Sequence, residues 1–270
     1  MLNREEYIEQ AYFFRTLHQR MQEGMSTQEL LGAVRHEVLS TTKLPFAIDF
    51  MLDELRLTGE FATAMAKMPH YFTPFQTFVV AEAEKPEGRF DFRTGLEVLR
   101  REVEYRAGEP TRQGMFLYQF EALCRNRLGY DRGLGAMADD PIFDADWHQW
   151  ILTVRHQIGL FDLADMIYVR SEVYRRTRDE EEAPVLFGEK EGRIALANRR
   201  KDPLYLFAAL ARHLGYPSVP RQQPQDKGPD VLPAMQQRLG RLESRIKLLE
   251  EELRGGINLS QFYEKKEKEQ

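Results

Sequence analysis

Cysteine is nearly missing from this sequence: Cys124 stands alone in 270 residues. That excludes an intrachain disulfide and a cysteine-based zinc site. Its place in an apolar helical stretch reads as a small core residue. Long hydrophobic runs are missing too; the longest, Leu204 to Ala211, falls far short of the ~20 residues a spanning helix requires. Met1 to Tyr7 lack the basic-then-apolar layout of a signal peptide. The expected location is therefore the cytoplasm, with no membrane partner. Neither sign of charge dominates, since 38 Lys and Arg stand against 43 Asp and Glu, a net charge of −5. Such a balance argues against the whole chain binding nucleic acid and leaves only a local patch to consider. The six histidines are scattered, without the H-x-x-x-H or E-x-x-H spacing of zinc proteases or ferritin-type di-iron sites. G-x-S-x-G, Walker A and G-x-G-x-x-G motifs do not occur. No catalytic residue is assigned, and no cofactor is expected.

What the sequence does hold is helix punctuation. Asn3 with Glu6, Ser26 with Glu29, Thr73 with Pro74, Asp91, Thr111, Asp146, Asp162 and Asp202 with Pro203 are start signals. Gly59, Gly108, Gly129, Gly159 and Gly215 are stops. Between them apolar residues recur at helical spacing, as in Leu96, Leu99 and Val103. With 17 Phe and 11 Tyr available to fill a core, the expectation is an all-α bundle of about ten helices over residues 1–216. One short β-hairpin is the most β structure expected, with Pro184 to Gly188 pairing with Arg193 to Leu196; a helix from Glu189 is the alternative. Prolines 217, 220, 224 and 229 lie among polar residues, which marks 217–231 as a linker. A charged tail that reads as disordered occupies 255–270.

Between linker and tail lies the one stretch with a decodable task. Read in heptads, Leu232, Leu239, Ile246 and Leu253 fall at a, and Met235, Leu242 and Leu249 at d. This is an unbroken coiled-coil seam over 232–254. In a parallel homo-oligomer the g residues Arg238 and Arg245 meet Glu243 and Glu250 at e of a neighbouring copy. Both pairs attract, at ~0.3–0.5 kcal/mol each, so they select orientation more than they add stability. Leu prevails at a and no buried Asn fixes a dimer, which leaves the stoichiometry open. The competing reading is a helix that folds back onto its own domain. Gly240, at an exposed b position, costs ~1 kcal/mol of helix either way.

Four further groups carry candidate chemistry. Asp49 and Asp53 lie one helical turn apart and would suit a magnesium–diphosphate site. With 43 acids in 270 residues, however, about seven pairs at this spacing arise by chance, and most are solvated faces. Asp144, Asp146 and His148 gather metal-ligating atoms, but they also read as helix-start residues that offset the dipole. The scattered histidines form the third group and point nowhere. Arg193, Arg199, Arg200, Lys201, Arg212 and Arg221 stand against the single acid Asp202, a basic patch able to meet RNA or an acidic partner. Six acids between Asp179 and Glu191 could instead neutralise it.

Taken together, these features lead to an oligomeric cytoplasmic interaction or scaffold protein whose partners are its own copies and another protein. The rival readings are an all-α enzyme or small-molecule binder with an acidic site, and a regulator that binds nucleic acid through 193–221. The seam yields the first prediction. Leu242→Asp places a carboxylate in an apolar interface, costs several kcal/mol per chain, and should give monomers by light scattering. Arg238→Glu with Arg245→Glu should only weaken association, more so at low salt. Unchanged oligomeric state with a lowered melting temperature would mean that the stripe packs on its own domain.

Overall fold

The computed structural model describes residues 2–21, 27–85, 90–178 and 183–221. All fall within the unit Met1–Gln222. The expected coiled coil, most of the linker and the tail lie outside the described residues. The domain is all-α, with thirteen helices among the described residues rather than about ten. They are α1 (Arg4–Arg20), α2 (Thr27–Arg35), α3 (Leu44–Thr58), α4 (Phe61–Ala66), α5 (Pro74–Ala83), α6 (Phe92–Ala107) and α7 (Arg112–Asn126). There follow α8 (Tyr130–Ala138), α9 (Ala145–Gln157), α10 (Leu163–Val169), α11 (Glu172–Arg178), α12 (Glu189–Ala197) and α13 (Pro203–Leu214). The surplus includes α11, which breaks away from the run opened by Asp162, and α12, which stands where the hairpin was expected.

Side-chain caps start most of the long helices. Asn3 accepts from Glu6 N at 3.0 Å, Asp91 from Thr94 N at 2.8 Å, and Thr111 from Gly114 N at 3.1 Å. Thr73 and Gln76 form a reciprocal capping box, which satisfies two of the orphan donors at the start of α5. Gly59 and Gly215 close α3 and α13 in the left-handed conformation. Two expected boundaries move. Asp144, not Asp146, caps α9, with Oδ1 accepting from Trp147 N at 3.0 Å. Gly129 opens α8 instead of ending α7, because Arg127 takes the left-handed turn.

The hairpin over 184–196 does not form: Arg193 to Leu196 are helical, as the alternative had it. The extended residues before α12 pair with another part of the chain. Leu186 N and Phe187 N both donate to Arg170 O, at 2.9 and 3.1 Å, and Glu172 N donates to Phe187 O at 3.0 Å. The first residues of the proline-rich segment also pack: Tyr216 and Val219 are buried. Arg101 donates to Ser218 O at 2.7 Å and Asn126 to Pro220 O at 3.0 Å. This tethers the chain to α6 and α7 as far as Pro220.

Helix α1 packs along α6, α3 against α2 and α4, α8 against α9, and α10 against α12. At the centre the apolar core opens around charge. Glu102 and Arg106 share the inward face of α6 with Leu99 and Val103, and both side chains are fully buried. Arg106 Nε donates to Glu102 Oε1 at 2.7 Å, and its terminal nitrogens grip both oxygens of Asp140, from the α8–α9 turn. Gln119 Nε2 donates to Asp140 at 3.0 Å and Gln76 Nε2 to Glu102 at 3.0 Å. Burial acts to strip the Arg106 charge, but the charges of Glu102 and Asp140 raise its pKa beyond that loss.

Removing one member of such a buried group leaves the others unpaired. Arg106→Met should therefore cost about 3–5 kcal/mol of unfolding free energy in urea. Adding Glu102→Gln and Asp140→Asn should recover more than half of that loss. Equal destabilisation of the single and triple variants would show that the Arg106 stem, and not its charge, holds the site.

Candidate functional site

The structure separates the residues that the sequence grouped as chemical candidates. Asp49 is gripped at both oxygens by Arg35, with Nη2 to Oδ2 at 2.8 Å, and these hydrogen bonds hold its carboxyl below the usual range. Asp53 points to Arg56 at 3.4 Å, with both side chains mostly exposed. Asp144 is occupied as the α9 cap and by Arg112 at 2.6 Å. Asp146 is exposed in the first turn of α9. His148 Nδ1 donates to Ala138 O at 2.9 Å. Among the described residues no three His, Cys, Asp or Glu side chains converge in a way that could hold a metal ion.

The basic patch is partly neutralised, though not mainly by the acids nearest in sequence. Arg193 pairs with Glu189, but Arg199 reaches Asp165 on α10 and lies over the Tyr168 ring, 5.6 Å from its centroid. Arg200, Lys201, Arg212 and Arg221 are exposed. The oligomerisation residues Leu232, Met235, Arg238, Leu239, Leu242, Glu243, Arg245, Ile246, Leu249, Glu250 and Leu253 lie outside the described residues.

A different surface stands out, built by α3 and the turn that follows α4. Helix α3 turns Leu44, Ala47, Ile48, Met51 and Leu55 inward. Its other side leaves Phe46 75 % exposed, Phe50 38 % and Leu57 81 %. Phe46 and Phe50, one turn apart, wall a groove of about 330 Å³ floored by Met68 and Tyr71, with Lys43, Lys67 and His70 on its rim. Lys67 pairs with Glu54 at 2.5 Å. No ion-pair partner faces the Lys43 or His70 side chain among the described residues.

The floor is fixed from below by α1. Tyr71 OH donates to Glu6 Oε2 at 3.0 Å, and burial first, then the Glu6 charge, raises the phenol's pKa. Gln10 Nε2 donates to Tyr71 O at 3.0 Å. Glu6 also accepts from Lys43 N at 2.9 Å, and Glu9 accepts from Leu39 N at 2.8 Å. Two α1 carboxylates thus anchor the loop that leads into the groove. The rigid floor, aromatic walls and cationic rim suit a ligand with apolar anchors flanked by acids.

No protein-family model, no curated protein and no solved structure matches the chain.

Sequence reasoning did not single out Phe46 and Phe50, which count there only among the apolar residues of their helix. A signal was present: with Leu44, Ile48, Met51 and Leu55 on one stripe, positions 46 and 50 fall well off it. The thiol, by contrast, is where the sequence put it. Cys124 lies in α7, half-buried, and burial pushes its pKa up to about 11, opposed in part by a hydrogen bond from Tyr130 OH at 3.4 Å. At mildly alkaline pH iodoacetamide should label it about a hundredfold more slowly than a free thiol, because so little thiolate is present. Urea should restore the ordinary rate; labelling at that rate in the folded protein would mark Cys124 as a reactive nucleophile.

Proposed function

We propose that this chain is a self-associating cytoplasmic interaction protein. Its helical domain docks an amphipathic helix of another protein, and its C-terminal seam joins copies of the chain. The observation that carries the reading is the exposed Phe46–Phe50 wall beside Lys43 and His70. An aromatic patch of this kind, rimmed by polar groups, is how partner-binding surfaces are built. The partner chemistry follows from the rim: apolar anchors at helical spacing enter between the two rings, and neighbouring acids meet the cations. The grip of Arg35 on both oxygens of Asp49 supports this reading over an acidic catalytic pair, because that carboxylate is already engaged while Asp53 stands in solvent beside Arg56. No helix among the described residues is long and apolar enough to cross a membrane.

A fluorescein-labelled helical peptide with leucines on one face and flanking glutamates should bind the full-length protein saturably. Phe46→Ser with Phe50→Ser should weaken binding about tenfold or more, at little cost in stability because both side chains reach solvent. The same peptide with Gln for Glu should bind less well, and the gap between the two should shrink as salt rises. Binding that ignores the Phe substitutions would remove α3 as the docking face.

A further inference from the structure

A second cavity, which shares no lining residue with the α3 groove, has different chemistry. It holds about 310 Å³ between α9 and α10 and is walled by Trp150, Phe161, Met166 and Val169. Phe161 is 57 % exposed and Val169 46 %, so the walls reach from core to solvent. Among its few polar groups are Asp165 and Arg170. Asp165 is committed to Arg199. Arg170 is not committed: its Nη1 is buried and has no hydrogen-bond partner among the described residues. An unpartnered buried guanidinium N–H is a standing cost, and an anion in the cavity removes it once the Arg170 side chain turns outward from the wall.

The position is built, not accidental. Arg170 O is held by Leu186 N and Phe187 N, and Arg170 N donates to Ile167 O at 3.1 Å. Phe187 in turn packs its ring 5.2 Å from both Trp147 and Trp150. Next in the chain, Ser171 packs against α12 at Gly192, where a Cβ would lie 2.6 Å from the serine Cβ. One aromatic cluster therefore sets both the Trp150 wall and the backbone that carries the guanidinium.

We infer that the α9–α10 cavity is a binding site for a small aryl-alkyl carboxylate, its ring between Phe161 and Trp150 and its carboxylate on Arg170. Planar guanidinium and carboxylate match in a two-point contact, which selects this anion over an uncharged analogue. The volume lies at the low end of ligand cavities, roughly 300–1,000 Å³, and admits one ring with a short chain rather than a long acyl group. The site is independent of the α3 groove.

Phenylbutanoate and its amide, phenylbutanamide, are the probes, titrated into the full-length protein by calorimetry while the Met166 methyl resonance is followed. The acid should bind at least about tenfold more tightly than the amide, and both should shift Met166. Arg170→Gln should bring the acid down to the affinity of the amide. Phe161→Ala, at an exposed position that the fold does not need, should weaken both probes alike. Equal binding of acid and amide, an acid affinity indifferent to Arg170→Gln, or no saturable shift of Met166 would each overturn the assignment. So would tighter acid binding when Asp179, Glu180, Glu181 and Glu182 are replaced by their amides, because the chain's own acidic run would then be the occupant.

Discussion

A guanidinium with no exposure to solvent sets the terms for the centre of this domain. Arg106 is surrounded by Glu102 and Asp140, and a buried charge of either sign is tolerable only when paired and hydrogen-bonded. Two carboxylates against one cation leave an excess of negative charge, so the remaining lone pairs need neutral donors. Gln76, Gln119 and the Ile142 N–H supply them. The amide nitrogen of Gln119 donates into the cluster, while its Oε1 has no hydrogen-bond partner among the described residues. From Gln76 the network passes to Gln10 on α1 at 3.4 Å. Helices α1, α5, α6 and α7 and the turn before α9 are thus mutually placed by one connected polar cluster. Packed side chains could repack in several ways, but a buried ion pair has one satisfactory geometry.

The two surfaces with chemical character are extensions of that interior. The groove beside α3 rests on Tyr71, whose hydroxyl and carbonyl are held by Glu6 and Gln10, the second of which joins α1 to the polar cluster. The α9–α10 cavity rests on Trp150, which belongs to an aromatic group with Phe116, Trp147 and Phe187. In both places a rigid buried element presents an exposed aromatic ring next to a cation that lacks a partner among the described residues. The groove is rimmed by two lysines and a histidine, suited to a chain segment with several acids. The cavity, of similar volume, has one arginine, suited to a small anion. The difference in ligand class follows from that difference in charge.

The helical character of 1–216 was legible in the sequence because it rests on local physics. Asn3, Thr73, Asp91, Thr111, Asp162 and Asp202 cap helices in the structure as their spacing to the following apolar residues required. Arg193 to Leu196 were ambiguous for a reason equally physical: a short apolar run fits a strand or a helix, and only the partner decides. Phe187 found its partner in Arg170 and Glu172, not in the next segment of chain. The assignment of Asp146 as the α9 cap failed by two residues, the usual scale of boundary error when several acids precede one helix.

Composition and periodicity by themselves determined the all-α class, most helix starts and the solvent-facing character of most charges. They also determined the candidate seam of 232–254, because heptad spacing is a property of one helix alone. Tertiary structure decided which polar residues lie inside. Glu102 and Arg106 sit in register with Leu99 and Val103, a hint available in the sequence, yet nothing local names Asp140 as the third member from 34 residues away. It also decided that Asp49 and Asp53 are surface ion-pair members, that Phe46 and Phe50 face outward, and that Arg170 has no ion-pair partner among the described residues. Local propensity is set by neighbours along the chain. The fate of a charge is set by whatever the fold brings within a few ångströms of it.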